Sequence, residues 1–329
     1  MNTSLNETEY YEDSDYENSK FWDDFQQAIR PVLNYQADVK FFIATIGVSI
    51  NIFHLIVLTR KSLRVYTINL FMIGIAICDF TRLLSDVFST LPDYYTIYQV
   101  SSMPQNCIPP KTYLVFFIEI YSVTLSVITQ KLAVWFGVTM AVLRVFIIKY
   151  PLSKYGIRIF LIVCLPHIPF WVVDFKMDEI YEYNVWVSPP SCTNLPGNTS
   201  RTRYIVEPGE YDNEIMLKME GYLFTVFPSV VLLITAGVLI YFLRRMKKPS
   251  VSSNDNNDRS TKMVVLVTVT FLISTTPLGI IYFLPIAELD YGTTIVIDMI
   301  SMSCEFVSLL NGILHFLLWA IISSQYFLD

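Results

Sequence analysis

The sequence predicts an all-α membrane protein, a bundle of seven transmembrane helices with its amino terminus outside the cell. Of the 329 residues, 53% are hydrophobic and only 16% are charged, whereas soluble domains carry about 25% charged residues. Seven stretches are apolar over the roughly 20 residues that a bilayer span requires. These predicted spans are residues 39–59, 67–91, 112–148, 155–175, 220–245, 261–286 and 292–322.

Basic residues in alternate loops set the orientation of the bundle. They follow the first span, lie between the third and fourth, and recur between the fifth and sixth. Loops rich in Lys and Arg stay in the cytoplasm, which leaves the amino terminus outside and the carboxyl terminus inside. The predicted segments are an extracellular tail at 1–38, a seven-helix domain at 39–326 and a short cytoplasmic end at 327–329.

The tail at 1–38 is acidic and contains no apolar run that could be a cleaved signal peptide. We expect it to be disordered and solubilising, with attraction of a cationic ligand by its negative field as the alternative. Asn2, Asn6 and Asn198 each begin an Asn-X-Ser/Thr sequon. All three lie on the predicted outer side, so we predict that they are glycosylated.

The five cysteines divide by location. Cys78, Cys164 and Cys304 fall inside predicted spans and are expected to be free thiols. Cys107 and Cys192 fall in outer loops, where disulfides persist. We therefore predict a Cys107–Cys192 bridge that ties the outer end of the third span to the long loop after the fourth.

The second span carries three charged residues, Asp79, Arg82 and Asp86. Their spacings of three and four place them on one helical face. A local ladder of charges that neutralise each other is one interpretation, and a functional polar cluster is the other, because unpaired charges at this depth are costly.

The third span ends in WFGVTMAVLRVFIIKYP, with Arg144 near its inner end and Pro151 and Leu152 after it. Further motifs are CIPPKTY before this span, FLISTTPLGIIYFL in the sixth span and NGILHFLLWAIISSQY in the seventh. Together they resemble the nematode serpentine receptor class W, a rhodopsin-like family grouped with FMRFamide-type neuropeptide receptors. The resemblance covers roughly residues 35–326, with four motifs in the same order.

The resemblance implies a G-protein-coupled receptor whose inner helix ends contact a heterotrimeric G protein. The residues assigned to this surface are Arg144, Val145, Ile148, Pro151, Leu152, Arg244 and Arg245. The resemblance also implies a polar switch cluster, made of Asn51, Asp79, Pro277, Asn311 and His315. Proline removes a backbone hydrogen bond from a helix, so a kinked sixth span would serve as the lever of activation.

Several positions depart from the wider rhodopsin-like pattern. Leu143 stands where an acidic residue usually precedes the arginine, and Thr275 stands where a tryptophan is usual. His315-Phe316 and Trp319 replace the usual Asn-Pro and Tyr of the seventh span. The clamp on the helix-three arginine must therefore be weaker or use another partner.

A sodium ion at Asp79, common in that superfamily, is not favoured here because Ala133 and Gly312 offer no side-chain oxygen. We hypothesise instead that His315 faces Asp79 across the core and that the protonation of this pair biases the switch. A histidine bonded to Asn311 or to backbone is the alternative.

The ligand cavity implied by the resemblance opens outward between the third, fifth, sixth and seventh spans. Ser126 stands where amine receptors keep an aspartate, which argues against biogenic amines. The carboxylates of Glu119 and Glu305 suit an arginine or an amine of a peptide, although Glu305 could instead pair with a helix neighbour. The candidate pocket residues are Glu119, Ser126, Gln130, Thr275, Tyr282 and Glu305.

These features predict a plasma-membrane receptor for a short, RFamide-like peptide, with membrane lipid around it and a G protein inside. A receptor for small chemosensory molecules is the alternative. A ligand-gated channel of the insect-odorant-receptor kind is disfavoured because its amino terminus lies inside. The three histidines fall in separate spans and no HExxH or GxSxG occurs, so neither an enzyme nor a metal site or cofactor is predicted. No nucleic-acid motif is present.

Overall fold

The computed structural model describes residues 5–60, 67–149, 178–192, 199–208, 221–246, 255–281 and 291–324. Its helices are α1 (Leu5–Leu58), α2 (Thr67–Ser102), α3 (Tyr113–Lys149), α4 (Phe227–Met246), α5 (Asp255–Ile281) and α6 (Tyr291–Ser324). A short 3-10 helix, Gln105–Cys107, precedes α3, and a π-helical turn, Tyr222–Val226, precedes α4. Helices α4, α5 and α6 correspond to the fifth, sixth and seventh predicted spans. The fourth, 155–175, lies outside the described residues.

Among the described residues, five helices contain a segment long and apolar enough to cross a membrane. These segments are Asp38–Leu58, Tyr113–Phe146, Tyr222–Phe242, Thr261–Ile281 and Gly292–Leu318. Helix α2 is not among them and carries the charged side chains of Asp79, Arg82 and Asp86, all of them buried. Its polar face is therefore turned into the bundle, as the cost of charge in hydrocarbon requires.

The helices form one bundle around α2 and α3. Helix α2 packs against α1 and α3, while α6 packs against α5, α1 and α2. Side chains such as Phe71, Met140, Leu239, Val264 and Phe271 fill the core between α2, α3, α4 and α5. Large apolar side chains such as those of Phe53, Leu233 and Ile273 are exposed on the outer faces. This arrangement suits a bundle surrounded by lipid tails.

Helix α3 approaches α5 closely at Gly137. A Cβ atom added there would lie 2.7 Å from Cε2 of Phe271, so a larger residue would have to displace the Phe271 ring. Small residues at helix contacts in membranes let backbones approach in this way. The contact sets the distance between the helix that carries Arg144 and the helix that carries Pro277.

The long loop on the predicted outer side contains a β-hairpin, which adds a strand element to the predicted all-α fold. Here "outer" denotes the end of the bundle that carries this hairpin, and "inner" denotes the opposite end. Strands β1 (Asp178–Val187) and β2 (Ser200–Pro208) pair antiparallel, with a register shift between Glu182 and Asn184. Both strands are rich in aromatic and β-branched residues, which suit a pleated strand. The Tyr204 ring packs against Tyr113, with ring centroids 5.3 Å apart, so the hairpin rests on the outer end of α3.

The predicted disulfide is confirmed. Cys107 and Cys192 are bonded, with their Cα atoms 5.5 Å apart and a sequence separation of 85. Both are buried. The bond fastens the loop after β1 to the 3-10 helix before α3. As expected, Cys78 and Cys304 are buried and form no disulfide within the described part of the chain, and Cys164 lies outside the described residues.

The amino-terminal segment differs from the expected disorder, because α1 is helical from Leu5. The rings of Phe21, Trp22 and Phe25 cluster on this helix, with centroid separations of 5.1 to 6.3 Å. The Trp22 indole lies against Gly292 at the start of α6. Aromatic residues at spacings of three and four stabilise a helix and give it a surface for packing, which acidic composition alone did not indicate. Asn6 lies in the first turn of this helix, and Asn2 lies outside the described residues.

Candidate functional site

The centre of the bundle holds a buried pair of Asp79 on α2 and His315 on α6. His315 Nδ1 lies 2.7 Å from Asp79 Oδ2, and both residues are almost inaccessible. The His315 ring also packs against the ring of Phe271, with centroids 4.8 Å apart. This is the contact that we hypothesised from the sequence, and it links three helices at one point.

Two further asparagines of the predicted switch cluster form hydrogen bonds between helices. Asn51 Nδ2 donates hydrogen bonds to the carbonyl oxygens of Gly47, at 3.0 Å, and Gly312, at 3.3 Å, and so joins α1 to α6. Asn311 Nδ2 donates to Ser274 Oγ at 3.3 Å and joins α6 to α5. The polar cluster therefore connects α1, α2, α5 and α6. Pro277 lies one turn beyond Ser274 on α5.

At the inner end of α3, Arg144 is buried and reaches α5. Its Nε donates a hydrogen bond to Oγ1 of Thr261 at 3.0 Å, and Thr261 is fully buried. Leu143, which replaces the usual acidic neighbour, packs into the apolar core. One partner of the arginine is thus a hydroxyl on the neighbouring helix.

A second polar cluster lies in the outer half of the bundle, around Asp86 of α2. The Ser126 hydroxyl on α3 donates to Asp86 Oδ1 at 2.9 Å. Lys40 Nζ on α1 lies 3.8 Å from the same oxygen and 3.6 Å from Glu305 Oε2 on α6. Four helices contribute to this group, which we call the outer cluster: Lys40, Asp86, Ser126 and Glu305.

Arg82 lies one turn inward from Asp86 and connects to α6. Its Nη1 donates to the backbone oxygen and to Oγ of Ser308, each at 2.9 Å. Gln130 on α3 donates to the same Ser308 hydroxyl at 2.9 Å. Within the described residues, Arg82 forms no ion pair with Asp79 or Asp86. The interpretation of a self-neutralising ladder along α2 is therefore wrong, because the contacts that these charged groups make are to other helices.

The family model for the serpentine-type seven-transmembrane G-protein-coupled chemoreceptor Srw matches residues 38–327. The chain belongs to the Srw family. This confirms the predicted class W membership and a seven-helix, multi-pass membrane fold. No curated protein matches the chain.

The structure brings together only some of the pocket residues predicted for this Srw receptor. Ser126, Gln130 and Glu305 meet at the outer cluster and its neighbour Arg82. Thr275 is buried and donates its hydroxyl to its own helix, at Phe271 O, 2.7 Å away. Tyr282 lies outside the described residues.

Glu119 is engaged near the outer rim. Lys111 Nζ lies 2.6 Å from Glu119 Oε2 and 3.3 Å from Asp93 Oδ1. Close by, the Tyr94 hydroxyl donates to Asp38 Oδ1 at 2.5 Å. Burial and this contact with a carboxylate raise the pKa of Tyr94 to about 12, so the phenol remains a donor well into the alkaline range.

The residues predicted to face a G protein are described only in part. Val145 is half-buried beside Arg144, and Arg244 is exposed near the end of α4. Ile148 and Arg245 lie within α3 and α4, and their side chains are not described. Pro151 and Leu152 lie outside the described residues, as does Asn198 of the predicted glycosylation sites.

Sequence reasoning missed Lys40, Ser308 and Thr261. Lys40 alone carried a usable signal: it is a basic residue at the outer end of a span, where the distribution of charge does not call for one. Ser308 and Thr261 are hydroxyl residues in apolar helices, and such residues most often bond to their own backbone. Among the described residues, no group of His, Cys, Asp and Glu could hold a metal ion.

Proposed function

We propose that this Srw protein is a plasma-membrane receptor, with its amino terminus outside, that binds a short RFamide-like peptide and activates a heterotrimeric G protein. The observation that carries the transducer half of this proposal is the Arg144–Thr261 hydrogen bond between α3 and α5. A buried arginine at the inner end of a membrane helix needs a partner. Because the partner lies on a second helix, the contact between the two helices has two states, one with the hydrogen bond formed and one with it broken.

In the mechanism that we propose, ligand bound outside favours the state in which the inner end of α5 has moved away from α3. The Arg144–Thr261 bond breaks in that state, and Arg144 becomes available to the G protein. The polar cluster at Asp79 and His315 lies between the two ends of the bundle. Phe271, which contacts both Gly137 and His315, couples the cluster to the position of α5.

Arg144→Ala and Thr261→Val test two roles separately: the contact of Arg144 with the G protein, and the hydrogen bond that holds α5 against α3. In a G-protein activation assay with amidated Arg-Phe peptides, Arg144→Ala should abolish the response at equal surface expression. Thr261→Val removes the hydroxyl with little change in shape and should raise ligand-independent activity, since hydrogen bonds to charged groups contribute about 1.5 to 3 kcal/mol. A Thr261→Ser receptor, which keeps the hydroxyl, is the matched control. An unchanged response in Arg144→Ala would contradict the proposal.

The second candidate is a receptor for small chemosensory molecules. Two observations favour it: the family description names chemoreceptors, and Glu119 and Glu305 are already engaged by lysines. Screening the same cells with amidated peptides and with small amines, acids and odorants distinguishes the two. Activation by small molecules alone would select the chemosensory function.

A further inference from the structure

The outer cluster contains an alkylammonium group that two carboxylates share. Lys40 Nζ lies within 4 Å of both Asp86 Oδ1 and Glu305 Oε2. Neither distance is that of a short charge-assisted hydrogen bond, which is about 2.7 to 2.9 Å. The two acids therefore hold one cation loosely between α2 and α6.

Buried polar atoms next to the shared cation lack partners. Asp86 is 4% exposed, and its Oδ2 has no hydrogen-bond partner among the described residues. Its Oδ1, by contrast, accepts from Ser126. A buried carboxylate oxygen without a donor is costly, so it marks a place where a further donor would be stabilised.

The charges along this side of the bundle also favour a cation, because the carboxylates outnumber the basic side chains. Three carboxylates, Asp79, Asp86 and Glu305, face two basic groups, Lys40 and Arg82. Asp79 already contacts His315, and Arg82 is held at Ser308 one turn further in. Within the outer cluster itself, two carboxylates face one lysine.

The cluster is partly exposed. An ion pair that only stabilised the fold would not need to be exposed. The side chain of Glu305 is 56% exposed and that of Lys40 is 32% exposed, while that of Asp86 is 6% exposed. Asp86 lies eight residues inward from Tyr94, about 12 Å along α2 at 1.5 Å per residue. The Asp38–Tyr94 bond holds the outer end of α1 to α2 two residues away from Lys40. Lys40 can therefore leave the carboxylates by a change of its side-chain rotamer, while the outer end of α1 stays in place.

We infer that the outer cluster is a binding site for an organic cation, an alkylammonium or guanidinium group of the ligand, and that Lys40 occupies this site in the unliganded receptor. Asp86 and Glu305 provide the charge, and Ser126 fixes the orientation of the Asp86 carboxylate. The inference rests on the proposed function only in taking the occupant to be the ligand. It revises the argument against amines drawn from Ser126, since α2 supplies at that position the carboxylate that α3 lacks.

Chemical rescue tests the site directly. Lys40→Ala removes the part of the lysine side chain that n-propylamine replaces, so the probe is n-propylamine added to the purified full-length variant in lipid nanodiscs. n-Propanol, a neutral molecule with the same number of heavy atoms, and sodium chloride at equal ionic strength are the controls. The readout is the melting temperature followed by tryptophan fluorescence, which requires neither a G protein nor a known agonist.

Lys40→Ala should lower the melting temperature, and n-propylamine should restore it saturably, while the two controls do not. In the unmodified receptor the same effect should need a higher concentration of amine, because Lys40 competes for the carboxylates. Adding Asp86→Asn to Lys40→Ala should abolish the rescue. Adding the more exposed Glu305→Gln should weaken it and provides a second variant if Asp86→Asn fails to fold.

Equal shifts with n-propylamine and n-propanol, or a rescue that survives both acid substitutions, would overturn the inference. Stabilisation by sodium equal to that by the amine would do so too, since the site would then take a metal cation. A receptor that binds the amine as expected but never activates a G protein would leave the site standing and refute the proposed function. The two failures are therefore distinguishable.

Discussion

At the scale of single residues, the Asp79–His315 contact carries the strongest prediction for the core. The two side chains are buried, and His315 Nδ1 lies 2.7 Å from Asp79 Oδ2. Removing either side chain leaves the other without its partner in a medium of low polarity. Leaving a buried polar group unsatisfied costs about 1 to 3 kcal/mol, and more for a charged group. Asp79→Ala and His315→Ala should each lower the melting temperature of the purified receptor, and the double variant should lose less than the sum of the two.

The matched control for this cycle is Asn311→Ala, whose side chain bonds Ser274 and not His315. Its effect should add to that of Asp79→Ala within about 0.5 kcal/mol, as expected for sites without a shared partner. Strict additivity of Asp79→Ala with His315→Ala would show that the pair contributes no coupling. His315→Asn with unchanged signalling and unchanged pH response would remove the hypothesis that protonation of the pair biases the switch.

At the scale of helices, the contact of α3 with α5 depends on the absence of a side chain at Gly137. A Cβ there would fall 2.7 Å from the Phe271 ring, which in turn packs on His315. Overpacking of this kind costs about 1 to 3 kcal/mol. Gly137→Val should therefore lower the melting temperature and alter ligand-independent activity through α5.

Gly237 on α4 is the matched control, because a Cβ added there meets nothing within 4 Å. Gly237→Val should change the melting temperature little. Equal destabilisation at the two glycines would show that the effect comes from helix propensity and not from the contact of α3 with Phe271.

The outer hairpin gives the second prediction at this scale. The Cys107–Cys192 bond and the Tyr204–Tyr113 contact hold β1 and β2 over the outer end of α3. Cys107→Ser with Cys192→Ser should free the hairpin, since loss of a native disulfide typically costs about 2 to 5 kcal/mol. Limited proteolysis on intact cells should then cut the outer loop faster, while Tyr204→Ala with the disulfide intact should produce a smaller increase. Unchanged cleavage in the serine variant would contradict this role.

The helices were predictable from the sequence, and their partners were not. Apolar length indicated the helices that the structure describes, and the compartment rule for cysteines located the disulfide, because both follow from one-dimensional features of the chain. The pairing of Lys40 with Asp86 and Glu305 depends on how α1, α2 and α6 are rotated, which spacing along one helix does not determine. For the same reason, the spacing of Arg82 from Asp79 and Asp86 suggested a ladder, whereas its nearest acceptor is Ser308 on another helix.

At the scale of the whole molecule, polar groups run in a row from the outer cluster through Arg82 to Asp79 and His315. The Arg144–Thr261 bond lies at the inner end. Each step joins α2 or α3 to α6 or α5, so the row crosses the bundle at several depths. A cation that displaces Lys40 would change the contacts of α1, α2 and α6 at the outer step. The inner step would respond through the position of α5, which is the population shift that the proposed function requires.

The direction of this row across the membrane depends on orientation, and the sequons test it. If the amino terminus is outside, Asn6 and Asn198 should carry glycans, and treatment of the expressed receptor with an N-glycosidase should increase its mobility on a gel. Asn6→Gln and Asn198→Gln should each remove part of that shift. An epitope tag at the carboxyl terminus should stain only after permeabilisation, whereas a tag at the amino terminus should stain intact cells. Staining of the carboxyl-terminal tag on intact cells would show that the bundle has the opposite orientation. The outer cluster, with its exposed Glu305, would then lie on the cytoplasmic side, where an extracellular cation could not reach it.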